Sequence, residues 1–333
     1  MKTRTTILGV VALLVFAGWS AFWWFAASTV ESASADAIAK AGRRGITVDC
    51  ANKNVRGWPF QMTLVCDRAA VKNARFHVEA NGLRAVALVY NPSHLIVEAD
   101  APFVFTDANL PAPIAADWKA GRASVELSGG LVERASIEFK EISGQSASFL
   151  PLSRPSADSL EVHVRRAAGP ADLDIAITSE SIKADLADSA LPPFDLKIVA
   201  TLVEGAPLLV GRREQFIERV KTGAAALDIS RALVSIGAAR VEFSGRFFLN
   251  PEGYLTGNPR IAIANAPALA TELARIPGID ASKLKPILQL IANFGEKTTI
   301  DDAPAGGVTL SIRDGYMSAG FLRFGRLSPV IVN

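Results

Sequence analysis

From Ile7 to Ala27 the chain runs for twenty-one residues without a charge. At a rise of about 1.5 Å per residue, such a run coiled as a helix crosses roughly the 30 Å hydrocarbon layer of a bilayer. Lys2 and Arg4 precede it, while Glu31 and Asp36 follow. The positive-inside rule therefore makes residues 1–30 a cytoplasmic N-terminus plus transmembrane anchor and places everything after Ser28 across the membrane. Trp19, Trp23 and Trp24, with Phe22 and Phe25, crowd the distal end, where amphipathic rings favour the membrane interface. The alternative is a cleaved signal peptide, since Ala33-Ser34-Ala35 fits a small-x-small cleavage rule. Signal-peptide apolar regions, however, usually run only about 7 to 15 residues and do not end in a tryptophan cluster.

Two cysteines, Cys50 and Cys66, lie in apolar stretches on either side of the turn signal Arg56-Gly57-Trp58-Pro59. In an oxidising compartment their pairing closes a short loop, worth about 3 kcal/mol in the chain-entropy model, and a disulfide is expected. Two buried free thiols are the alternative. A metal site has less support, because no CxxC and no nearby histidine completes a tetrahedral set.

Beyond a small-residue helical stretch from Ser28 to Ala41, the pattern changes to period two. Phe60, Met62, Leu64 and Cys66 alternate with Gln61, Thr63, Val65 and Asp67, as a strand with one buried face requires. The alternation recurs in 74–80, 83–90, 94–99, 124–128, 135–142, 160–166 and 173–178. Asn81-Gly82, Asn91-Pro92, Gly129-Gly130 and Gly169-Pro170 supply turn signals between them. Residues 31–190 thus read as the first half of a β-rich domain. Residues 191–333, after Leu191-Pro192-Pro193, read as the second half, with helices near Arg212–Lys221, Pro267–Arg275 and Ser282–Phe294, Ser282 being the expected N-cap. Hairpins are expected through Asn250-Pro251-Glu252-Gly253 and Asp314-Gly315. The fold class is α+β: an N-terminal transmembrane helix, then a large, mainly antiparallel curved sheet with a few amphipathic helices.

Half of the residues are hydrophobic and the net charge is +2, with opposite charges interspersed. That composition excludes a disordered chain, and the charge pattern lacks the basic stripe of a nucleic-acid binder. Catalytic signatures are missing as well: no HExxH, GxSxG, GxGxxG or GxxxxGK[ST] occurs. His77-Val78-Glu79 has no thiolate partners downstream. His163 shares a polar strand face with Glu161 and Arg165, and His94 shares a face with Ile96 and Glu98, a carboxylate within reach of pairing. Asp172/Asp174 and Asp301/Asp302 suit solvated faces better than acid–base chemistry. Neither a catalytic residue nor a metal ligand nor a cofactor is expected, and the chain reads as a non-enzyme.

Several elements together resemble the DUF2125 family of alphaproteobacterial envelope proteins. They are the apolar N-terminal helix, Val55-Arg56-Gly57-Trp58-Pro59-Phe60 before a cysteine-bearing strand, Tyr90-Asn91-Pro92-Ser93-His94, and the glycine-punctuated stretch from Asp314-Gly315-Tyr316 to Gly325-Arg326-Leu327. A weaker likeness, in Gly245-Arg246-Phe247-Phe248-Leu249-Asn250 through Gly257 and Ile261, is to the hairpins of AsmA-type envelope proteins. The family resemblance implies a single-pass inner-membrane protein whose bulk is periplasmic, and it transfers no catalytic residue. The AsmA-like echo adds a suggestion of lipid handling.

Gly57, Trp58, Pro59 and Phe60 admit two roles. They can shape a turn whose aromatics cap the end of the sheet, or Trp58 can gate an apolar groove or rest on the membrane. A sheet of a dozen or more strands also has more apolar face than three short helices cover. It either closes on itself as a dry sandwich or keeps an open trough suited to acyl chains. The expected function is therefore non-enzymatic: binding of phospholipid, an acyl chain or another apolar ligand in envelope homeostasis. The alternative is a scaffold that recruits envelope proteins through a sheet edge or the transmembrane helix.

Overall fold

The computed structural model describes residues 2–110, 112–129, 131–145, 152–167, 171–186, 189–276, 278–320 and 322–330. The expected turns at Gly129-Gly130 and Gly169-Pro170 involve residues outside this set. Among the described residues strand pairing is antiparallel throughout, and the chain divides into two units, Met1–Glu126 and Leu127–Asn333.

Unit 1 opens with a single continuous helix, α1 (Lys2–Arg43), which joins the apolar run to the small-residue stretch without a break. Its apolar part is long enough to cross a membrane and is not buried inside the protein. From Ser20 onward the less exposed positions are Ser20, Trp23, Ala26, Ala27, Val30, Ser34, Ile38 and Ala41. Their three-and-four spacing defines one helical face laid against the unit. Lys53 reaches this face, its Nζ lying 3.1 Å from the Ser34 hydroxyl.

The strands that follow are β1 (Thr47–Ala51), β2 (Asn54–Arg56), β3 (Gln61–Cys66), β4 (Arg68–Lys72), β5 (Phe76–Leu88), β6 (Asn91–Asp107), β7 (Ile114–Asp117) and β8 (Ala120–Ser128). β5 is the hub: β4 and β3 pair with its two halves along one edge, and β6 runs along the other. Cys50 on β1 and Cys66 at the end of β3 are joined in a disulfide, as expected. Asn81-Gly82 is not the expected hairpin turn. β5 passes straight through it, with a register shift between Ala80 and Gly82 that the bulge absorbs. A glycine is needed there because a Cβ would run into the carboxylate of Asp100 on the neighbouring strand, and the Asn81 side chain donates to Ala101 O at 3.2 Å instead of shaping a loop. The true reversal lies at Val89-Tyr90, just before Asn91-Pro92.

Unit 2 holds β9 (Leu131–Gln145), β10 (Leu152–Arg166), β11 (Leu173–Leu186), β12 (Ser189–Ala190), β13 (Phe194–Val203), α2 (Arg213–Lys221), β14 (Ala226–Ile236), β15 (Ala239–Leu249), β16 (Leu255–Gly257), β17 (Arg260–Ala264), α3 (Ala266–Leu273), α4 (Ala281–Phe294), β18 (Glu296–Ile300), β19 (Ala303–Thr309), β20 (Ser311–Arg313), β21 (Tyr316–Ala319) and β22 (Leu322–Arg326). β9, β10, β11, β13, β14, β15, β17 and β19 pair in that order, with the Leu191-Pro192-Pro193 break lying between β12 and β13. Residues Ala206–Val210 form a 3-10 turn that the periodicity does not announce.

The best-sealed core is here. Ile236, Ala239 and Ile263 pack with Leu269 and Ala270 of α3 and Leu288 of α4, while Leu233, Ala262, Ala264, Ile300 and Ala305 form a second cluster. Adjacent residues of β17 feed opposite clusters, as a strand covered on both faces demands. The α4 N-cap is Asp280 rather than Ser282. Its carboxylate accepts the Ser282 N–H at 3.1 Å, and a charged acceptor suits the positive end of a helix better than a hydroxyl. In unit 1, by contrast, Ala27, Cys66, Ala80 and Trp118 are the fully buried hydrophobic residues among those described.

Candidate functional site

Between α2 and the strands β13 to β16 lies a cleft of about 400 Å³. Its lining is wholly hydrophobic: Leu202, Phe216, Val220, Ala225, Ala226, Leu227, Ile229, Phe243, Phe247, Phe248, Leu249, Leu255 and Val330. The floor follows from strand alternation, which puts Phe243, Phe247 and Leu249 on one face of β15. Their two phenyl rings stack with centroids 5.5 Å apart. The intervening position on that face is Gly245, at φ +152°, and a Cβ there would lie 2.7 Å from Pro259 Cα. Glycine thus lets the two rings meet across that position, where any other residue would collide with the backbone of the link between β16 and β17.

The walls come from either side. The apolar stripe of α2 contributes Phe216 and Val220, and an ion pair between Arg219 of α2 and Glu204 fastens that helix to the end of β13. Glu204 is itself fixed, its backbone N–H donating to Asp172 at 2.9 Å. On the other side the tail is tied down by Leu327 N–H to Gly315 O and Val330 N–H to Gly253 O, each 2.8 Å. The Arg326 guanidinium lies over the Tyr254 ring, 3.7 Å from its centroid. A second, more polar hollow of about 240 Å³ shares Val220 and Val330 with the cleft and adds Lys221, Asn250 and Glu252. An apolar cleft and a more polar hollow thus adjoin through Val220 and Val330.

The sites expected from sequence fall elsewhere. Gly57, Trp58, Pro59 and Phe60 form a tight turn of unit 1 that packs on α1. The Trp58 ring meets Phe16 edge-on at 5.4 Å, and the Trp19 and Trp23 indoles donate to Pro59 O and Gln61 O at 2.9 and 3.1 Å. Trp24 is solvent-exposed along the helix. His163 pairs with Glu161 at 3.3 Å, and His77 lies 4.0 Å from Glu79. Glu98 is held by Arg84 and Arg122 at 3.4 and 3.2 Å, so the carboxylate within sequence reach of His94 is occupied by arginines. Asp174 is engaged by Arg165 and Thr201, and Asp301 by Arg231. Among the described residues no group of three or more His, Cys, Asp or Glu is placed to hold a metal. The cleft itself is not visible in the sequence. Its lining is drawn from six separate segments, four strands, one helix and the tail, and of these only the Gly245–Leu249 stretch stands out.

These features define a β-rich protein with one long apolar N-terminal helix, a disulfide, and an open apolar cleft. The chain belongs to DUF2125, the family described as an uncharacterized protein conserved in bacteria, whose model matches residues 23–328. No curated protein and no solved structure matches the chain.

Proposed function

We propose that this is a membrane-anchored periplasmic protein of the inner membrane that holds one acyl chain of a lipid in the unit 2 cleft, without making or breaking bonds. The observation that carries the reading is the pairing of a wholly apolar cleft of about 400 Å³ with an adjoining polar hollow. At roughly 30 Å³ per water-sized group, the cleft takes about a dozen methylenes. Each methylene moved out of water contributes about 0.8 kcal/mol, so a single chain is retained by shape and hydrophobic transfer alone. Lys221 and Asn250 of the adjoining hollow suit a headgroup that stays wet. The disulfide supports an oxidising compartment for the bulk of the chain, and the unburied apolar part of α1 supports the anchor.

The test is native mass spectrometry and solvent extraction of the full chain purified in mild detergent, beside a variant carrying Leu227→Trp and Leu255→Trp, which fills the cleft. A stoichiometric acyl lipid on the parent, lost from the filled variant while its thermal unfolding is unchanged, is the expected result. A lipid-free parent that co-purifies with an envelope protein would instead favour a scaffold.

A further inference from the structure

Unit 1 ends in two neighbouring turns, Gly57–Phe60 and Val89–Tyr90, joined by a hydrogen bond from Val89 N–H to Phe60 O at 3.1 Å. Three large rings project from them: Trp58, Phe60 and Tyr90 are 46%, 64% and 73% exposed. The charge pattern around this tip is as distinctive as the rings. Residues 57–66 and 85–97 contain no Asp, Glu, Lys or Arg, and because β3 pairs with β5 from Gln61↔Leu88 to Cys66↔Leu83, the two uncharged stretches lie side by side. Charged residues begin at Arg56, which lies opposite Thr63, and at Glu126, opposite His94.

The tip is also fastened to α1 at a depth that the helix itself fixes. About twenty helical residues are needed for the 30 Å hydrocarbon layer, and counted from Ile7, where the charge-free apolar run begins, they end near Ala26. Trp19 then lies roughly 10 Å, and Phe16 roughly 15 Å, inside the distal boundary. A turn hydrogen-bonded to Trp19 and packed edge-on against Phe16 is not above the bilayer.

Irregular backbone at that depth needs polar groups satisfied within the protein, and four carbonyls at this turn are paired so. Gly57 O accepts from Gln61 N–H, Phe60 O from Val89 N–H, and Pro59 O and Gln61 O from the Trp19 and Trp23 indoles; Pro59 has no N–H to satisfy. We propose that the Gly57–Phe60 turn, with Tyr90 beside it, is a second membrane element, inserted among the acyl chains of the leaflet from which α1 emerges. This rests on α1 being a retained anchor.

The experiment uses the full chain in vesicles of phosphatidylethanolamine and phosphatidylglycerol, its native cysteines kept in their disulfide. One new cysteine at a time is labelled with a polarity-sensitive fluorophore: Phe60→Cys at the tip, Val15→Cys on α1, and Lys72→Cys on exposed β4 as the aqueous control. The Phe60→Cys label is expected to emit in the blue, to be quenched several-fold more by nitroxides on lipid acyl chains than the Lys72→Cys label, and to be shielded from iodide. A Phe60→Cys label that behaves like Lys72→Cys while Val15→Cys reports lipid overturns the insertion and leaves the anchor standing. If Val15→Cys also reports water, the anchor reading fails, and the insertion with it.

Discussion

Single residues show where backbone conformation, not side-chain chemistry, decides identity. Gly57 sits at φ +110°, and a Cβ there would lie 2.7 Å from both Gln61 O and Gln61 Cγ. Strained positive-φ positions cost of order 1–3 kcal/mol for other residues. Gly57→Ala is therefore expected to lower stability by about that much, read as a drop in the midpoint of thermal unfolding of the full chain in detergent. Gly42→Ala, with open space around it in α1, should leave the midpoint unchanged or raise it, since alanine outranks glycine inside a helix. Gly57 is legible as a turn residue from its neighbours Trp58 and Pro59. Gly82 is not legible for what it is, because Asn-Gly marks a hairpin far more often than a bulge, and nothing local reveals that Asp100 will occupy the space on the next strand.

At the scale of elements, the disulfide does what the strand ladder alone does not. β1 pairs with β4, and β3 pairs with β2 and β5, so the Cys50–Cys66 bond is a direct covalent link between β1 and β3, across a sequence separation of 16. In a unit with few fully buried residues, a constraint worth about 3 kcal/mol on the unfolded chain matters. Denatured protein titrated without reduction should show no free thiol, and Cys50→Ser with Cys66→Ser should lower unfolding free energy by about 3 kcal/mol in a denaturant titration. A thiol count of two in the unreduced sample would contradict the bond. Helices are readable to within a residue or two from their three- and four-residue spacing, as with Arg213–Lys221 and Ala281–Phe294. The α4 cap is misassigned from sequence because Asp280 and Ser282 are both good capping residues, and the choice turns on a φ/ψ angle that the sequence does not display.

Across the whole molecule, hydrogen-bonded carboxylates set the response to acid. Hydrogen bonding from Arg84 holds the Asp100 carboxyl below its usual range, a bond from the Asn109 backbone does so for Asp107, Ser282 for Asp280 and Arg231 for Asp301. For each, the unfolded chain takes up the proton first. The stabilisation is complete above the ordinary aspartate pKa near 3.9 and is lost as pH falls through the lower folded values. Thermal unfolding should therefore be flat from pH 7 to 5 and fall below about pH 4, with Asp100→Asn shallower in its acid dependence than the parent. The strand-rich class is readable because period two is local, whereas the cleft is not, since its walls meet only after β13 to β16, α2 and the tail have been brought together. The bonds from Trp19 and Trp23 to the Pro59 and Gln61 carbonyls have a consequence for shedding. With α1 as the anchor proposed above, a protease that nicked the Arg44–Ile46 link would cut the covalent connection yet leave both fragments clasped, so release from the membrane would wait on dissociation, not on cleavage.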